Sequence, residues 1–146
     1  MILQSKGRTD EAVTRYQQTV LIDRRAAVAS NNLAWLYAAE GKGNLDQALE
    51  LAQAAREVLP DQPEVNDTLG YIYLKKQIPT LAVPPMLRAV DKDPKNPTYH
   101  YRLGQAYLES GSRLKAKQSL ETALQLSTDF PEVAEARSLL AQAGQS

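Results

Sequence analysis

A period of about 34 residues runs through this chain and restricts its fold more than any other property. Ala12, Ala48, Ala82 and Ala116 follow one another at steps of 36, 34 and 34 residues. Leu33, Leu69 and Leu103 keep nearly the same step, each followed by a small residue (Ala34, Gly70, Gly104). So do Tyr37, Tyr73 and Tyr107, and the pair Pro60 and Pro94. A unit of that length has room for two short helices, cannot bury its apolar faces alone, and so must stack on its neighbours. The period predicts a stacked helical array rather than a globular enzyme with one central pocket.

The second unit shows how each copy should fold. Ala26 to Glu40 places Val28, Leu33, Leu36 and Tyr37 at helical spacing. Gly41 should end that helix, because glycine reaches the left-handed conformation common at helix ends. Leu45 to Val58 makes a second helix through Leu45, Ala48, Leu49, Ala52 and Ala55, and Pro60 ends it. The third unit repeats the scheme as Pro63–Lys76 and about Thr80–Lys92, and the fourth as Pro97–Ser110 and Arg113–Ser127. A last, more polar helix from Pro131 to about Ala143 suits the water-facing end of an array. Pro79, Pro84 and Pro85 crowd the second helix of the third unit, which predicts a kink or a late start near Val83.

These positions resemble the tetratricopeptide repeat family. The motif reads Leu33-Ala34-Trp35-Leu36-Tyr37 with Gly41, Ala48, Ala55 and Pro60, then Leu69-Gly70-Tyr71-Ile72-Tyr73 with Ala82, Ala89 and Pro94. It recurs as Leu103-Gly104-Gln105-Ala106-Tyr107 with Gly111, Ala116, Leu120 and Ala123. The resemblance implies an all-α, right-handed superhelical solenoid of antiparallel helix pairs, about 3.5 repeats plus a C-terminal capping helix. A single domain over 1–146 would hold a partial first repeat (1–25), repeats at 26–62, 63–96 and 97–130, and the terminal helix at 131–146. Two departures stand out: Gln77 replaces a turn glycine, and Gly41-Lys42-Gly43-Asn44 makes one turn longer by two residues. The Leu-Gly-x-x-Tyr signature and the absence of net positive charge disfavour a pentatricopeptide RNA binder of similar period.

Little in the chain points to chemistry. It has no cysteine and one histidine, His100, which leaves no ligand set for zinc and no Cys/His nucleophile. No phosphate loop is present, and Asp91 and Asp93 read as solvated loop carboxylates. A net charge of zero argues against nucleic acid or an anionic membrane as the main partner. No apolar run approaches a membrane span, and Met1-Ile2-Leu3 does not read as a signal peptide. The expectation is a non-enzyme that uses no cofactor and no metal; compartment is unreadable.

The resemblance also implies where a partner lies: along the concave face, lined by the first helix of each unit. On that basis the partner-binding residues are Asn31, Asn32 and Trp35 in the second unit and Asp67, Thr68, Tyr71 and Lys75 in the third. In the fourth they are Tyr101, Arg102 and Gln105, with Ala39, Glu64, Thr98 and Glu109 on the same faces. Trp35, Tyr71 and Tyr101 lie off the packing stripe, and aromatic side chains and arginine dominate binding energy at interfaces. Family members that clamp a terminal carboxylate do so with lysine, asparagine and arginine. Asn32 and Arg102 match that set loosely, but Asn31 and Thr98 occupy the lysine positions, which disfavours an EEVD-type tail.

Charge is uneven along the chain. Acids dominate between Glu40 and Asp67, and bases between Lys75 and Lys117, a layout that would orient a polar partner. The expected role is a protein-interaction scaffold that binds a peptide or protein surface in its groove. The alternative is an assembly module of a longer array: with its first repeat incomplete, the chain would be a fragment, or would form a homo-oligomer through apolar surface near Ile2, Leu3 and Val13.

Overall fold

The computed structural model describes residues 24–41 and 44–144. Within them lie α1 (Arg24–Ala39), α2 (Leu45–Val58), α3 (Pro63–Lys75), α4 (Pro79–Lys92), α5 (Pro97–Glu109), α6 (Arg113–Leu126) and α7 (Val133–Ala143), with no strand among the described residues. The helices α2, α3, α5 and α6 agree with the sequence expectation to within one residue at each end, and α4 ends where expected. The chain's readings at Gly7, Ala12, Tyr16, Ile2, Leu3, Val13, Lys42 and Gly43 lie outside the described residues.

Local chemistry starts and stops each element. Asn44 caps α2 by accepting from the Gln47 N–H at 2.6 Å, and Asn96 caps α5 by accepting from the N–H groups of Thr98 and Tyr99. Proline opens α3, α4 and α5, where its missing N–H has no helical partner to lose. After α3 the Ile78 N–H reaches the Tyr73 carbonyl and the Gln77 N–H reaches Leu74, both at 2.9 Å. After α5 Ser112 and Gly111 repeat this on Tyr107 and Leu108. This double bond pattern needs a left-handed residue at its centre. Gln77 and Gly111 supply it, at φ 65° and 91°, and Gly41 after α1 takes the same conformation at φ 66°.

The helix α4 departs from expectation. It begins at Pro79 and continues unbroken to Lys92, with no late start near Val83. Pro84 and Pro85 cannot donate to the carbonyls of Thr80 and Leu81, but both of those residues are exposed. Water can therefore serve the freed carbonyls, and Pro79 fixes the first turn.

The helices α1, α3 and α5 each pack on the even helix that follows, and in the second and third pairs a glycine faces a large side chain. Gly70 and Gly104 are required there. A Cβ on Gly70 would lie 2.5 Å from Met86 Cγ, and one on Gly104 would lie 2.7 Å from Leu120 Cγ. At the equivalent positions of the first described pair, Ala34 and Ala52 share one core cluster, so the methyl has moved from one helix to the other. The odd helices also approach along a row, α1 on α3, α3 on α5 and α5 on α7, whereas the backbones of α2, α4 and α6 stay apart from one another. The odd row is thus the inner side of a curved stack and the even helices fan out behind it. This is an all-α solenoid of helix pairs. No described helix is long and apolar enough to cross a membrane.

Candidate functional site

The inner row presents a cleft of about 410 Å³ between α1, α3 and α5. Seven of the residues expected on the concave face line it: Asn31, Asn32 and Trp35 from α1, Glu64, Asp67 and Thr68 from α3, and Arg102 from α5. Leu36 and Tyr99 join them. The 36-residue step between α1 and α3 brings Trp35 level with Tyr71, and the two rings stack at 4.6 Å between centroids, tilted by 37°. Arg102 lies against both, its guanidinium carbon 4.7 Å from the Trp35 centroid and 5.3 Å from that of Tyr71. Lys75 Nζ lies over the Tyr71 ring, 5.7 Å from its centroid.

Arg102 is the hub of this arrangement. It donates to Asp67 Oδ2 and lies 3.7 Å from Glu132, just ahead of α7. It is only 8% exposed and Asp67 only 7%, so the pair is held away from water. Burial is the largest influence on Asp67 and pushes its pKa up to about 6; the Arg102 charge and hydrogen bond pull the other way without prevailing. Burial also raises the pKa of Tyr99, as do the negative charges of Asp67, Glu64 and Asp93. Tyr99 remains a neutral phenol facing an acidic neighbourhood.

Two acceptors in the cleft wall have no partner. Asn31, 6% exposed, has its side-chain oxygen buried without a hydrogen bond, and so does Asp67 at Oδ1. An unpaired buried acceptor costs roughly 1–3 kcal/mol, and groups of this kind in a native fold call for an explanation.

Some expected contacts point elsewhere. Tyr101 does not offer its ring to the cleft: it is 8% exposed and packs with Leu120, Ala123, Phe130 and Ala136. The seam between α5, α6 and α7 requires a large side chain there, so Tyr101 belongs to the packing stripe and not off it. Arg102, expected to reach for a partner, is already paired. The Thr68 hydroxyl donates to the Glu64 carbonyl at 2.9 Å, and Gln105 donates to Glu109 at 3.1 Å. Tyr71, Lys75 and Gln105 lie outside the cleft lining, Tyr71 as the stacked partner of Trp35. Asn32 and Lys75 are exposed. Leu36, Tyr99 and Glu132 escaped the sequence reading. Leu36 looked like a core position yet is 41% exposed, and Glu132 keeps the 34-residue step from Glu64 and Thr98 but opens the terminal segment, beyond the units to which the concave face was assigned. His100 Nε2 donates to the Pro94 carbonyl, 2.7 Å away, as a surface histidine. Among the described residues no group of three metal-ligating side chains occurs.

An inner row of helices with a polar, aromatic cleft defines the class: a helical-repeat solenoid. Two models described as tetratricopeptide repeat match residues 33–97 and 97–130, together more than half of the chain, and the chain belongs to the tetratricopeptide repeat family. None of the curated proteins matches it. Among solved structures it is similar to the second such domain of human RPAP3 in complex with the HSP70 peptide SGPTIEEVD, at 22% identity and TM-score 0.71, over 82% of this chain and 96% of that one. It is also similar to the Yersinia enterocolitica type III secretion chaperone SycD in complex with a peptide of the translocator YopD, at 21% identity and TM-score 0.68, over 79% and 89%. A third is MamA AMB-1, at 26% identity and TM-score 0.66, over 92% and 83%.

Proposed function

We propose that this chain is a non-catalytic protein-interaction scaffold that holds a peptide or protein surface against the inner helix row. The observation that carries this reading is the Trp35–Tyr71 stack beside an open cleft with unpaired acceptors. Aromatic anchors in a partly closed pocket are where interface energy concentrates. Exposed Leu36 adds apolar surface at the cleft edge. The reading is also supported by fold neighbours whose solved complexes contain peptides. In this reading Asn31, Asn32, Trp35, Asp67 and Thr68 form the cleft proper. Tyr71 and Arg102 brace the stack, and Lys75 and Gln105 extend it along the face.

The test is affinity capture of partners by the wild type and by a Trp35→Ala/Tyr71→Ala variant, with circular dichroism to check the fold. Loss of the captured protein by at least about tenfold with helicity retained is the expected outcome, since anchor aromatics contribute at least ~2 kcal/mol each. Equal capture by both proteins places binding off this face.

A further inference from the structure

The acidic end of the RPAP3 ligand raises a question about sign of charge. We infer that the cleft of this chain is built for the opposite kind of segment, one presenting a lysine-type ammonium with its neighbouring backbone N–H groups. The inference rests on the groove reading above and names the chemistry of its ligand.

Three observations carry it. First, the unfilled hydrogen-bonding capacity in the cleft wall is acceptor capacity: Asn31 Oδ1 and Asp67 Oδ1 are both buried and both without a donor. A carboxylate brings only acceptors and could satisfy neither, whereas an ammonium or a backbone amide brings the donor each lacks. Second, the positive charge that a carboxylate would need is absent or taken. Thr98 donates its hydroxyl to Glu132 at 2.8 Å, and Arg102 is already neutralised by Asp67 with Glu132 beside it. The charged side chains lining the cleft are Glu64 and Asp67 against Arg102, with Glu132 beside Arg102, an excess of acid. Lys75 lies over the Tyr71 ring, outside the lining. Third, Glu64 is exposed in the cleft lining, its carboxylate accepting from the Gln62 side-chain amide at 2.9 Å and paired with no cation among the described residues, so a negative charge meets an incoming ammonium. The rings of Trp35 and Tyr71 already hold one cation, Arg102, and give an aliphatic lysine stem an apolar surface to lie on.

Trp35 is the only tryptophan of the chain and lines the cleft, so its fluorescence reports occupancy at this place. The probes are three seven-residue peptides of alternating alanine with lysine, glutamate or leucine. The lysine peptide is expected to bind at least about fivefold tighter than the glutamate peptide at low salt, and Glu64→Gln to weaken it by about threefold, the scale of one exposed ion pair. Glu64 is exposed, so that variant keeps the fold. Tighter binding of the glutamate or leucine peptide overturns the inference and leaves groove binding standing. A lysine preference that Glu64→Gln leaves unchanged overturns its assignment to this cleft. Silence of Trp35 toward all three peptides also overturns it, and the capture experiment then judges the groove reading on its own.

Discussion

Two kinds of seam hold this molecule together, and they obey different rules. Within each helix pair the seam is dry and repetitive: Ala34 with Ala52, Gly70 against Met86, Gly104 against Leu120. Between the odd helices of the inner row it is polar and repeats nowhere: a tryptophan on a tyrosine, an arginine between acids, two acceptors with no donor. Stacking demands the first kind of seam in every unit, so it returns every 34 residues. The second kind is occupied once, by residues that differ from unit to unit. A scaffold that must bind one partner and not others needs its variety there, where it does not disturb the pairs.

The largest effect that separates the two seams is expected from Arg102→Ala. Truncation leaves Asp67 buried with no counter-charge, and it strips packing from Trp35 and Tyr71. Removing one partner of a buried pair typically destabilises by about 3–5 kcal/mol. The effect has a pH signature whose sign follows from Asp67. Its pKa of about 6 in the folded chain lies above the unperturbed 3.8, so its contribution is present in full below 3.8 and is lost as pH rises through about 6. Without Arg102 the carboxylate is still harder to ionise, which moves the loss to higher pH. Thermal unfolding should therefore show the deficit of Arg102→Ala greatest near neutral pH and smaller near pH 5. A deficit independent of pH would mean that lost packing alone accounts for it.

A smaller effect is expected in the dry seam. Gly104→Ala places a methyl against Leu120 Cγ, with the Ala116 carbonyl close behind at 3.3 Å. Overpacking of this kind costs about 1–3 kcal/mol, and the better helix propensity of alanine offsets up to about 1 of that. The first pair already shows the compensated version, alanine facing alanine. Leu120→Ala should consequently cost less by about 1 kcal/mol in the Gly104→Ala background than alone, a coupling that a double-mutant cycle measures. Additivity of the two changes would show that the helices can separate freely, and that the small-to-large pairing is incidental.

The same distinction explains how far the sequence could be read. The leucine, glycine, tyrosine and proline positions gave the helix boundaries, because each marks a physical event that recurs: a close approach, a left-handed turn, a missing donor. The inner face could be named as a face, and Asn31, Asn32, Trp35, Asp67, Thr68 and Arg102 do meet in one cleft. What could not be read was which of them point at water and which at each other. Arg102 and Asp67 lie 35 positions apart and their pairing has no repeat counterpart; Tyr101 looked free only because α7, which covers it, breaks the period. Pro84 and Pro85 looked disruptive because sequence shows the lost donors but not that Thr80 and Leu81 face water.

The smallest effect concerns the turns that join the two seams. Gly41, Gln77 and Gly111 share one left-handed conformation, yet only one of them carries a side chain. Nothing lies within 4 Å of a Cβ built on Gly41 or Gly111, so space does not select glycine there; backbone strain does. A residue with a Cβ in this region is disfavoured by roughly 1–2 kcal/mol, against which glycine loses about 0.4–1 kcal/mol through its freer unfolded chain. Gln77→Gly should then stabilise the protein by about 0.5–1 kcal/mol, read as a rise in the melting temperature, and Gly111→Ala should lower it by a similar amount. Both changes lie away from the cleft, so partner capture should be unaltered in either. A Gln77→Gly variant no more stable than wild type would show that this side chain makes a compensating contact at its turn, and that the third unit's departure from glycine was selected rather than tolerated.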